Sequence, residues 1–214
     1  MHVLALCGSL RAGSFNRGLL RAAAEVAPEG VRVEIAGAGD LPLYDEDLEP
    51  RGWPAPVAAL RDRAYETDAI LFGCPEYNYG VSGVLKNAFD WLSRPETAVG
   101  ERAVPGRKRN PFQDKPCGLF GASVGMGGTI RAQLALRQSL QLNAALTMPQ
   151  PEVFVAGARA KFGPDGALTD ADTREHLGRY MGAFAAWVRR VGPAAEDRPR
   201  PAPPPESGGP ARQP

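Results

Sequence analysis

Histidine is almost missing from this chain, with two in 214 residues, His2 and His176. There is no Cys-x-x-Cys either, so no metal centre is expected. The three cysteines, Cys7, Cys74 and Cys117, lie far apart, each in or beside an apolar stretch. They read as buried free thiols, which fits a reducing compartment and points to the cytoplasm. An excess of charge of one sign is also lacking: 25 Lys and Arg face 24 Asp and Glu, for a net charge of +1. That balance gives no reason to expect a nucleic acid or a membrane surface as partner. No apolar run approaches the roughly 18 residues that a bilayer span needs. The opening MHVLALCGSL has no basic leader and runs straight into a glycine turn, which makes it a poor signal peptide.

What is present is a run of short apolar segments separated by helical patterns. His2 to Cys7, Val31 to Ala36, Asp68 to Cys74, Cys117 to Ser123 and Glu152 to Ala156 read as strands. Between them Asn16 to Ala27, Pro54 to Glu66, Val84 to Leu92 and Ile130 to Leu142 carry apolar residues at helical spacing, with Ser82 as an N-cap. A last helix puts Leu177, Tyr180, Met181, Phe184, Trp187, Val188 and Val191 on one face. Wholly apolar strands alternating with helices predict a parallel sheet covered on both sides. The expected fold is α/β, a flavodoxin-like doubly wound five-stranded parallel sheet with helices on both faces, over residues 1–192. Residues 193–214 are Pro-rich, with no apolar periodicity, and are expected to form a disordered tail.

In doubly wound sheets ligands bind beyond the carboxyl ends of the strands. Three unusual loops leave strands there. GSLRAGSFN, Gly8 to Asn16, joins the first strand to the first helix. Its glycines allow close approach, Ser9, Ser14 and Asn16 offer small polar groups, and Arg11 offers a planar donor fork suited to phosphate. The spacing from Gly8 to Gly13 resembles a nucleotide-binding P-loop, but Ser14 and Phe15 follow where that loop needs Lys. A phosphate monoester is the expected guest. PEYNYG, Pro75 to Gly80, places Tyr77, Asn78 and Tyr79 where a flat conjugated ligand would need ring faces and an amide. GASVGMGG, Gly121 to Gly128, looks like the nucleotide loop of short-chain dehydrogenases. It follows the fourth strand rather than the first, and the chain has no Tyr-x-x-x-Lys, so it reads as a pocket wall with Ser123 able to hydrogen-bond.

These three loops, with R-A-Q-L-A-L-R-Q after the last, together resemble the NADPH-dependent FMN reductase family over about Met1 to Val191. That resemblance implies bound FMN, with NADPH or NADH as hydride donor and a small-molecule electron acceptor such as a quinone or free flavin. It implies that Ser9, Arg11, Ser14, Phe15 and Asn16 hold the phosphate end. It implies that Pro75, Glu76, Tyr77, Asn78, Tyr79 and Ser123 surround the ring. It also implies a homodimer or homotetramer with the site near a subunit interface.

No side chain is expected to act as acid or base, and Glu76 is expected to orient its loop. Lys86 and Asp90 read as solvated charges. Ser82 stands where many relatives have Pro at a helix start. The segment from Glu96 to Gln113 is longer than usual and carries Arg102, Arg107, Lys108 and Arg109. It is a solvated basic loop or a cover for the pocket of its own or a partner subunit. The rival functions are an electron-carrier flavodoxin, which the near-neutral charge disfavours, and a flavin-binding scaffold.

Overall fold

The computed structural model describes residues 1–95 and 108–192. The expected tail, together with Arg102 and Arg107, lies outside them. Strand β1 (His2–Cys7) leads through α1 (Phe15–Glu25) to β2 (Arg32–Ala36), and α2 (Ala55–Glu66) leads on to β3 (Ala69–Gly73). A small hairpin follows, β4 (Glu76–Tyr77) and β5 (Gly80–Val81), and then α3 (Gly83–Leu92). The second half is β6 (Pro116–Ala122), α4 (Ile130–Leu142), β7 (Leu146–Thr147), β8 (Phe154–Val155) and α5 (Ala171–Val191). The main sheet runs β2-β1-β3-β6-β7, with β8 also on β6, and every pairing in it is parallel. This is the expected flavodoxin-like order.

Alternation along the strands divides the core. Val3, Ala5, Cys7, Leu71 and Phe120 face α1 and α5, and Leu4, Leu6, Ile70, Phe72 and Leu119 face α2, α3 and α4. The fifth strand differs from expectation. Instead of one strand over 152–156, two two-residue strands, β7 and β8, pair with the two ends of β6. Pro149 and Pro151 lie between them and have no N–H to give a ladder, so the strand cannot run through.

All three cysteines are free and buried. Burial pushes the Cys74 and Cys117 thiols up to about 12. It raises the Tyr44 phenol to about 12, helped by Glu49, and that of Tyr180 further still. Lys115 moves the other way, to about 8, because burial disfavours its charge. In the unfolded chain thiols ionise near 8.5 and phenols near 10. Above those values the unfolded state has released protons that the fold still holds, and stability falls. Lys115 opposes this between about 8 and 10.4, where the unfolded chain keeps a proton the fold has lost. Four groups oppose one, so urea midpoints measured under reductant are expected to fall from about pH 8.5 to 10.5. A rising midpoint would mean that Lys115 dominates.

Candidate flavin site

The first loop is fixed at Gly8. The Ser82 hydroxyl donates to the Gly8 carbonyl (2.7 Å) and accepts from Leu85 N–H (3.3 Å), capping α3 and joining it to the end of β1. A Cβ on Gly8 would lie 2.6 Å from Pro75 Cδ, so only glycine lets these two loops meet. Ser82 therefore caps its helix as expected.

From here the chain crosses to α1. Ser14 is the N-cap, its hydroxyl accepting from Arg17 N–H (3.3 Å). Among the described residues, the backbone N–H groups of Ser9, Leu10, Arg11, Ala12 and Gly13 meet no acceptor. Those of Phe15 and Asn16 are first-turn donors with no partner inside the helix. Seven unengaged donors around a positive helix end form an anion cradle. Arg11 has no carboxylate partner among the described residues, and its guanidinium carbon lies 4.9 Å from the Phe15 ring centroid.

Asn16 has a structural role besides the one expected of it. Its amide donates to the Ala122 carbonyl (3.0 Å) and accepts from Ala122 N–H (2.9 Å). This pair of bonds ties the start of α1 to the end of β6. A carboxamide carries two N–H groups, so one remains beside the backbone N–H.

On the second loop, Tyr77 meets Ser9 hydroxyl to hydroxyl at 3.2 Å. The Glu76 carboxylate accepts from the N–H groups of Arg131 (2.9 Å) and Ala132 (3.2 Å) and pairs with the Arg131 guanidinium (3.0 Å). It fixes the hairpin to the start of α4, the orienting role expected of it. Asn78 and Tyr79 form the two-residue turn, with φ of 50° and 65°. This left-handed pair matches the twist of a tight hairpin. Neither residue is among those that line the cavity. Tyr79 is 73% exposed and lies against Arg131 instead, at 4.0 Å. Ser123, on the third loop, accepts from Gly125 N–H at 3.0 Å through its hydroxyl.

One cavity of about 640 Å³ collects the rest. Ser9, Arg11, Ser14, Phe15, Asn16, Pro75, Glu76, Tyr77 and Ser123 all line it. So does Arg159, which the sequence reading missed by following three strand ends. The fourth carboxyl end, that of β8, leads directly to this residue.

The basic link falls elsewhere. Lys108 pairs with Asp114 (3.0 Å), and Arg109 borders a separate cavity of about 420 Å³. These residues precede the first residue of β6, at the amino end of the sheet. A seven-residue strand, about 23 Å long, separates them from this chain's own pocket. The expected cover over that pocket is therefore not formed by Lys108 and Arg109. Lys86 and Asp90 pair with each other at 2.6 Å on the exposed side of α3.

A parallel sheet in this order, with an anion cradle and an aromatic wall on either side of its switch point, defines a flavodoxin-like flavin-binding domain. The chain belongs to the NADPH-dependent FMN reductase family, whose model matches residues 1–160. It is 40% identical to an NAD(P)H-dependent FMN reductase of Pseudomonas aeruginosa, across 89% of this chain and 97% of the relative. It is 37% identical to a quinone reductase of Escherichia coli K12, across the same shares of the two chains. Among solved structures, the flavoenzyme NAD(P)H:(acceptor) oxidoreductase FerB of Paracoccus denitrificans superposes with a TM-score of 0.77 at 31% identity, covering 89% of this chain and 98% of that one.

Proposed function

We propose that this protein is an FMN-dependent oxidoreductase that takes hydride from NADPH or NADH and passes two electrons to a quinone, free flavin or a similar small acceptor. The observation that carries this reading is the cradle of unengaged backbone donors beside Arg11, opening into one cavity with Tyr77 and Ser123. The cavity volume lies within the usual 300–1,000 Å³ of small-molecule sites. The cradle suits a terminal phosphate, which FMN has and FAD does not. When bound, FMN supplies the redox chemistry.

The protein's share is binding and placement. Backbone donors from Ser9 to Gly13, with those of Phe15 and Asn16, would hold the phosphate together with Arg11 and the Ser14 hydroxyl. Pro75, Glu76 and Tyr77 on one side and Ser123 on the other would border the ring. Glu76 is engaged by α4 and does not serve as a proton donor or acceptor. Among the described residues no group of three or more His, Cys, Asp or Glu is arranged to hold a metal ion. No described helix is long and apolar enough to cross a membrane, and the three buried free thiols suit the cytoplasm. Val124, Met126, Leu134 and Leu142 are exposed around and along α4. A homodimer or homotetramer follows from the family reading, and sedimentation velocity would tell it from a monomer.

Purified protein is expected to be yellow, to release FMN on heating, and to bleach rapidly when mixed with NADPH without oxygen. Release of FAD would overturn the cofactor. Bound FMN that NADPH does not bleach would leave an electron carrier or a scaffold.

A further inference from the structure

Arg159 sits on a single tight turn, Ala158–Ala160, just beyond β8. Its backbone is held from the β6 side, where Ala158 N–H donates to the Ser123 carbonyl (3.0 Å) and Gly157 N–H to that of Gly125 (3.4 Å). Gly157 takes φ 60°, which turns the chain toward α1. Three residues after Arg159, Phe162 packs against Phe15, the rings tilted at 45° with centroids 5.2 Å apart. Arg11 lies over that same Phe15 ring. The two arginines thus approach the start of α1 from the carboxyl ends of two different strands.

Three neighbouring cations are occupied. Arg21 donates to the Gly166 carbonyl (3.1 Å), Lys161 pairs with Asp170 (2.8 Å), and Arg131 pairs with Glu76 (3.0 Å). Arg159 has no carboxylate or carbonyl partner among the described residues, and it lines the cavity. Among the described residues the only acid lining that cavity is Glu76, which Arg131 and the first amides of α4 already balance. Two of the described lining residues are arginines without such a partner, Arg11 and Arg159. A phosphate monoester carries about −1.5 to −2 charges near neutral pH, which two cations match and one does not. The planar forks of arginine also suit its oxygens.

We propose that Arg159 is a second phosphate-reading residue of the flavin site, acting with Arg11 to select FMN over its uncharged parent riboflavin. This rests on the flavin reading above and adds a residue and a discrimination to it. The test is titration of flavin-stripped protein with FMN and with riboflavin, following flavin fluorescence, for the unaltered chain and for Arg159→Ala, Arg11→Ala and the double variant. Arg159→Ala is expected to raise the FMN Kd roughly 10- to 100-fold and to flatten its salt dependence. Its riboflavin Kd should stay unchanged, which also reports an intact fold. In the double variant the preference for FMN over riboflavin should shrink further, to what the backbone donors of the cradle supply without the two arginines. An unchanged FMN Kd in Arg159→Ala would overturn the proposal. So would an equal loss for both flavins, because Arg159 would then shape the wall rather than read the phosphate. Unaltered protein that held FMN no more tightly than riboflavin would overturn the phosphate reading of the cradle itself, and Arg159 with it.

Discussion

Replacing Asn16 with leucine is expected to remove about 2–6 kcal/mol of stability, because the buried Ala122 N–H and C=O both lose the Asn16 amide. Each such orphaned group costs about 1–3 kcal/mol, and a whole domain has only about 5–15 to lose. The leucine matches the branching of asparagine but is bulkier, so it leaves no cavity and adds some crowding to the loss. Urea unfolding measures the loss, and a change below about 1 kcal/mol would mean that other contacts hold α1 against β6. Asn16→Asp separates the two consequences of this contact. Its carboxylate can still accept from Ala122 N–H, but it faces the carbonyl and adds a negative charge beside the cradle. It should destabilise the fold less than leucine and weaken FMN binding more than its stability loss alone accounts for.

Gly121→Ala is expected to cost at least about 3 kcal/mol and to loosen the flavin pocket along with the fold. The added carbon would lie 2.1 Å from Thr129 Oγ1 and 2.3 Å from the Cys74 carbonyl oxygen. Neither can yield. The carbonyl is backbone between β3 and the aromatic loop, and Thr129 is fully buried with its hydroxyl accepting from Gln133 (3.0 Å). Pushing Thr129 displaces the start of α4, where Glu76 anchors the hairpin. Gly127→Ala is the comparison: the nearest atom, 3.1 Å away, is Nη1 of Arg131, the far end of a side chain rather than backbone. It should change stability by less than about 1 kcal/mol. Equal unfolding midpoints for the two variants would show that the close packing at Gly121 can relax.

Asn16 also marks where sequence reading loses its grip. A small polar residue in a phosphate-type loop invites the conclusion that it touches the phosphate. Its partner, Ala122, lies 106 positions away and has no side-chain chemistry to announce it. Elements defined by their own periodicity fared better. The α4 boundaries, Ile130–Leu142, could be read directly from the apolar spacing. The fifth strand was misjudged because Phe154 and Val155 look like strand residues whatever surrounds them, while Pro149 and Pro151 decide how much ladder can form. Tyr77 and Tyr79 are the same residue type two places apart on one loop. Only the left-handed turn at Asn78 and Tyr79 sends one toward the cavity and the other onto Arg131. Arg159 carried no motif at all, only its place after the last strand.

The sheet order has a consequence for how the chain assembles. Pairing β1 with β3 joins Val3 to Ala69, 66 positions apart, against 30 for Val3 and Val33 in the pair with β2. By loop-closure entropy alone that longer reach costs roughly 0.7 kcal/mol more than the shorter one. With β2 already seated beside β1, only the chain from Ala36 to Ala69 remains to be closed. Polymer statistics therefore favour building outward through β2 before the centre is joined. The seam between β1 and β3 is also where the cradle of one loop faces the aromatic wall of the other. The binding crevice is thus made by the most distant pairing in the sheet, and it exists only once β1 and β3 have met.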